Sequence, residues 1–184
     1  MIQALPKASG APVTRWVTVT LANEPSALLF AFAAHHARLG ASEIHIFLDR
    51  PNNRLSRGLG QIPGVVTYQC DDAFWAQHGP RSNLQTKRQT VAANIAYAAA
   101  DLDWIAHIDA DEFLSPRGAM DTELAALPEN IVGLRIPVME RVWRAEAPPA
   151  SIFDGLFRKK LGGLPSVQDH LFGDLAQYMH RGLT

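Results

Sequence analysis

Short apolar runs rich in β-branched residues alternate along this chain with stretches of helical spacing, and that alternation constrains its fold more than any other feature. Trp16-Val17-Thr18-Val19-Thr20-Leu21 opens the series as a strand. Leu28, Leu29, Phe32, His36 and Leu39 then recur at helical spacing as far as Gly40, with Asn23 or Glu24 placed to cap the helix and Pro25 suited to its first turn. Ile44, Ile46 and Leu48 mark a second strand, and a polar, glycine-containing loop leads to a third over residues 65–70. Residues 71–81 carry Gly79-Pro80 and no clear period, which reads as a loop. Ser82-Asn83-Leu84-Gln85 fits a capping box that opens a long helix with Leu84, Val91, Ile95, Ala98 and Leu102 on one face. Trp104-Ile105-Ala106-His107-Ile108 is a fourth strand, followed by a short helix over 121–127 and a further strand over 131–138. Such a series predicts an α/β fold, a mostly parallel, Rossmann-like sheet with helices on both faces, in which ligands bind beyond the carboxyl ends of the strands.

A chain of 184 residues suits one domain. We read residues 1–12 as a flexible N-terminal segment, 13–138 as the ligand-binding domain and 139–184 as the start of a further, acceptor-side region. Because the pattern weakens after Met139 and no closing element precedes Thr184, the fold reads as incomplete at its C-terminus. Seventeen Lys and Arg against 18 Asp and Glu give a net charge of −1, which excludes a surface that coats a nucleic acid polymer. Cys70 is the only cysteine, so neither a disulfide framework nor a Cys-based zinc cluster is available. The most apolar stretch, 27–34, is far shorter than a membrane span, and the first residues lack the apolar core of a secretory signal. The expectation is a cytoplasmic protein without a transmembrane segment.

Two Asp-x-Asp patterns occur, and context separates them. Asp101 and Asp103 join a helix to a strand, where an acidic, solvated connector is ordinary. Asp109 and Asp111 instead follow an apolar strand, where the ligand crevice of an open α/β sheet lies. On extended chain, residues two apart point to one side. Hard carboxylate oxygens suit Mn²⁺ or Mg²⁺, ions that commonly bridge a carboxylate to phosphates, and a bound cation relieves the repulsion among Asp109, Asp111 and Glu112.

Asn23-Glu24 after the first strand, Phe47-Leu48-Asp49 before a polar loop, Lys87-Arg88-Gln89 on a helix, and the run from Trp104 through Asp109-Ala110-Asp111-Glu112-Phe113-Leu114 together resemble family 2-like glycosyltransferases of the GT-A fold. The resemblance covers residues 13–138 and is strongest over 88–114. It implies transfer of a sugar from a nucleotide diphosphate donor to a carbohydrate or glycan-precursor acceptor, with Mn²⁺ or Mg²⁺ at the Asp-x-Asp motif. Position by position, it implies Asn23 and Glu24 near the donor nucleotide, Asp49 accepting from its base, Lys87 and Arg88 facing the diphosphate, and Asp109 and Asp111 holding ribose and metal. Each position also has a plain structural reading: Asn23 and Glu24 as helix caps, Asp49 as the start of the turn at Pro51, Lys87 and Arg88 as a solvated helix face.

The resemblance leaves the catalytic base unknown. Such a base usually lies well after the Asp-x-Asp strand, where Glu140, Asp154, Asp169 and Asp174 are available, or beyond the end of this chain. Adjacent His35 and His36 splay onto different helix faces, a geometry that opposes a shared metal, and His107 reads as a packed strand histidine. Two rival functions remain: a truncated, non-catalytic module that binds a nucleotide sugar, and an aspartate-based phosphatase, whose Asp-x-Asp normally follows the first strand.

Overall fold

The computed structural model describes residues 2–4, 14–99, 102–144, 146–151 and 154–159. The chain divides into two compact units, Met1–Arg135 and Ile136–Thr184. In the first unit the elements run β1 (Ile2–Ala4), β2 (Trp16–Ala22), α1 (Ser26–Arg38), β3 (Glu43–Leu48), α2 (Asn53–Leu59), β4 (Val65–Gln69), α3 (Asp72–His78), α4 (Gln85–Ala99), β5 (Trp104–His107), α5 (Met120–Ala125) and β6 (Gly133–Leu134). They build a six-stranded sheet in the order β4-β3-β2-β5-β1-β6. Strands β4, β3, β2 and β5 are mutually parallel, whereas β1 runs antiparallel to both β5 and β6.

The two-residue period of a strand divides the core into two layers. Trp16, Ala22, Ile44, Ile46, Leu48, Trp104, Ala106 and Ile108 face α1, α2 and α5 through Leu29, Phe32, Leu55, Leu59, Met120 and Leu124. Val17, Val19, Leu21, Phe47 and Ile105 face the other way, onto Trp75 of α3 and Ala92 and Ala96 of α4. Helices therefore cover both faces of a parallel sheet, as the alternation of runs predicts. In β2, the central strand, every residue is buried. Thr18 and Thr20 are fully buried there, and their hydroxyls have no hydrogen-bond partner among the described residues.

Several local expectations change. The N-cap of α1 is Pro25, whose carbonyl accepts from Leu28 and Leu29, so neither Asn23 nor Glu24 caps the helix. Two stretches read as loops are helices of seven residues, each started by a side chain that closes a free amide: Asn52 accepts from Leu55 at 3.0 Å, and Asp71 from Phe74 at 2.8 Å. Ser82 accepts from Leu84 rather than forming the full capping box. The buried face of α4 centres on Arg88, Ala92 and Ala96, whose small alanines let the helix lie close on β2; of the expected row, Val91 and Ile95 pack against the same cluster and Leu102 is buried, while Leu84 and Ala98 are exposed. Ile2–Ala4, within the segment read as flexible, is a strand, and the strand expected over 131–138 shortens to the two residues paired with β1. Gly64 turns the chain into β4 with φ of +79°, and a Cβ there would lie 2.9 Å from the Ser42 carbonyl.

The second unit holds an antiparallel pair, β7 (Met139–Val142) and β8 (Leu156–Lys159). Glu140 pairs with Arg158 across it, and Arg141 donates to the carbonyls of Ser151 and Asp154 at 3.0 and 2.7 Å. Asp101, Asp169 and Asp174, weighed above, lie outside the described residues. Among the described residues no helix is long and apolar enough to cross a membrane.

Candidate functional site

Chain order within the sheet reverses at β2: the chain moves outward through β3 and β4, then returns to place β5 on the other side of β2. Helices flanking such a reversal diverge, leaving a crevice at the carboxyl ends of the two strands. Asn23 and Glu24 leave the end of β2 and are exposed, and Asp109 leaves the end of β5 just past the bond from Ile108 to the Val19 carbonyl. Asp49 follows β3 and its amide donates to Ala22 at 2.9 Å, which joins the ends of β3 and β2. Sequence-predicted residues from three adjacent strands thus share one edge.

The first turns of α4 cross that edge. Arg88 donates through Nε and Nη2 to the two oxygens of Asp49, at 3.0 and 2.8 Å, and through Nη1 to the carbonyls of Ser82 and Asn83. Its neighbour Gln89 donates to Oδ1 of Asp109 at 2.7 Å. Two consecutive helix residues therefore reach carboxylates at the ends of β3 and β5, on either side of β2. Asp49 also accepts from Arg81 at 3.0 Å, so two guanidinium groups face one carboxylate. Most donors of Arg88 are engaged within the protein, whereas Lys87 and Arg50 are exposed and Arg81, which also bonds Asp49, keeps part of its side chain in solvent.

After β5 the chain does not stay extended. Glu112 donates its amide to the Asp109 carbonyl at 3.0 Å and accepts from the Asp109 amide at 3.1 Å, which closes a turn over 109–112. Asp109 and Asp111 therefore present their exposed carboxylates from a turn, and strand alternation does not set their spacing. Among the described residues no three His, Cys, Asp or Glu side chains group to hold a metal. Mn²⁺ or Mg²⁺ needs only one or two carboxylates when phosphate oxygens and waters complete its shell, and Asp109 with Asp111 fits that donor set.

Farther along, the loop is anchored to α1. His35 donates from Nε2 to the Leu114 carbonyl at 2.7 Å, and the Leu114 amide donates to Nε2 of His36 at 3.4 Å. His36 in turn donates from Nδ1 to Phe32 at 2.9 Å. Burial holds the His36 ring near a pKa of about 4, helped by the neighbouring His35 and opposed by the Phe32 carbonyl. The neutral ring is the form these two bonds need. His107 is also pushed down by burial, against the pull of Asp109 upward. Sequence reasoning gave no role at this edge to Arg81 or to Gln89, although Gln89 stands in the Lys87-Arg88-Gln89 run, and it set His35 and His36 on different helix faces, whereas both reach Leu114.

An open depression of about 600 Å³ lies at the far half of α4, lined by His78, Val91, Asn94 and Ile95. It contains no carboxylate or permanent cation, and the concentration of charge at the carboxyl edge makes that edge the better candidate. No known protein family, curated protein or solved structure matches the chain.

Proposed function

We propose that this protein binds a nucleotide diphosphate sugar at the carboxyl edge and transfers the sugar, as a GT-A-type glycosyltransferase of the family 2-like kind. The observation that carries the reading is the pair of bonds from Arg88 and Gln89 to Asp49 and Asp109, at the place where the strand order reverses. Asn23, Glu24 and Asp49 would contact the nucleoside, and Lys87 with Arg81 the diphosphate. Arg88 would act through Asp49 rather than on phosphate directly. Asp109 and Asp111 would hold Mn²⁺ or Mg²⁺, which supplies charge neutralisation at the departing diphosphate.

A donor-binding module without turnover is the second reading, favoured by one observation. Among the described residues, Glu140 pairs with Arg158 and Asp154 accepts from the Ser151 amide, so the two described candidates for the base both have structural partners.

Titration calorimetry with uridine diphosphate and other nucleoside diphosphates tests donor binding. Binding is expected with Mn²⁺ and lost in EDTA, and Asp111→Ala should remove the difference between the two. Equal affinity in Mn²⁺ and EDTA would overturn the assignment. Release of nucleoside diphosphate from sugar donors over many turnovers would separate the transferase from the module.

A further inference from the structure

We propose that His35 and His36 are positioning residues that hold the acidic loop, residues 109–114, in the geometry that ligates metal and nucleotide. The inference rests on the donor-binding reading above and adds the device that sets the loop.

The loop is tied at both ends. At its start, Ile108 donates to Val19 within the sheet at 3.2 Å. At its end, both backbone polar groups of Leu114 are taken by consecutive residues of α1: the carbonyl by His35 and the amide by His36. The Phe113 ring lies 5.2 Å from the His35 ring and 6.2 Å from the His36 ring, and packs edge-on to Phe32 at 6.3 Å. Between the two ties stand Asp109, whose carboxylate accepts from Gln89, and Asp111, whose side chain is exposed.

Burial alone would not require this chemistry. An apolar residue at position 36 could cover Phe113 equally well, but it would leave the Leu114 amide without an acceptor. His36 meets two demands at once, donating to Phe32 and accepting from Leu114, which fixes its ring as the Nδ1–H tautomer. His35 supplies the complementary donor. The pair reads the amide and the carbonyl of one residue, Leu114, so sliding the loop by one residue breaks both bonds. Groups bonded directly to metal ligands typically change metal affinity about 10- to 100-fold when lost, and these histidines, acting through the loop backbone at Leu114, are expected at the low end of that range.

The test uses the full chain with Mn²⁺ and uridine diphosphate as probes. Wild type, His36→Phe, His36→Gln and His35→Phe are compared, together with Leu59→Ala as a core variant outside the loop. His36→Phe should weaken Mn²⁺-dependent nucleotide binding about 10-fold or more and speed hydrogen exchange at the Leu114 amide. His36→Gln, which keeps an acceptor and a donor, should restore part of both. Should His36→Phe fail to fold, His35→Phe carries the same comparison with one bond lost. Absence of Mn²⁺-dependent binding in wild type would refute the donor-binding reading itself. Wild-type binding that is unchanged in His36→Phe and His35→Phe, or weakened as much by Leu59→Ala, would overturn the positioning role and leave that reading intact.

Discussion

Acid should unfold this protein partly through one histidine. His36 is fully buried and its pKa lies near 4, against an ordinary value of 6.5, because burial disfavours the imidazolium. Between those values the unfolded chain takes up a proton that the folded chain refuses, so stability falls as pH falls through this window. At about 1.4 kcal/mol for each pKa unit, the loss approaches about 3 kcal/mol by pH 4. Above pH 6.5 the ring is neutral in both states and contributes no slope. Protonation would also point an N–H at the Leu114 amide and break that contact. Urea unfolding followed by tryptophan fluorescence from pH 4 to 7, on wild type and His36→Phe, measures the effect. His107 and the carboxylates titrate in both proteins and cancel in the difference. The difference between the two stabilities should shrink as pH falls, by about 3 kcal/mol across the window. Parallel profiles would show that His36 is not held neutral by the fold.

Arg88→Met should cost about 2–3 kcal/mol, since it leaves a largely buried Asp49 with Arg81 as its remaining guanidinium partner and removes the donor that ties it to the start of α4; urea unfolding reads the change directly. Thr18→Val should raise stability by about 1 kcal/mol, because the hydroxyl is buried without a partner, and a lower denaturation midpoint would argue for an acceptor there. Gly64→Ala should destabilise by about 2 kcal/mol, from the left-handed backbone and the close Ser42 carbonyl, with a lowered melting temperature as the readout.

Three of the four parallel strands were legible because they are largely buried on both sides and so spell mostly apolar runs at residues 16–22, 43–48 and 104–107. Asp49 and Asp109 were legible for the same reason: each is the first charged residue after such a run. The facing of α4 was legible in part. Its row of larger apolar residues put Val91, Ile95 and Leu102 against the core, but packing on a strand rewards close approach, so the centre of the face is two alanines and one paired arginine. Helices α2 and α3 escaped because a seven-residue helix shows barely two turns of period, leaving only Asn52 and Asp71 as signals. The bond from Gln89 to Asp109 and the Leu114 contacts join residues far apart in sequence. Neither local spacing nor hydropathy carries information about such partners.

The strand Ile2–Ala4 has an effect on the order of assembly. It sits between β5 and β6, pairing Ile2 with Ala106 on one side and Leu134 on the other. Both partners are made long after the strand itself. During synthesis the parallel strands β2 to β5 can pair from a contiguous stretch of chain, but the amino-terminal strand must wait until most of the first unit has been made. Closing so long a loop is slow relative to local contacts. Its docking is therefore expected late, and until then the outer edge of β5, the strand that leads into the acidic loop, has open hydrogen-bonding groups that another chain could occupy.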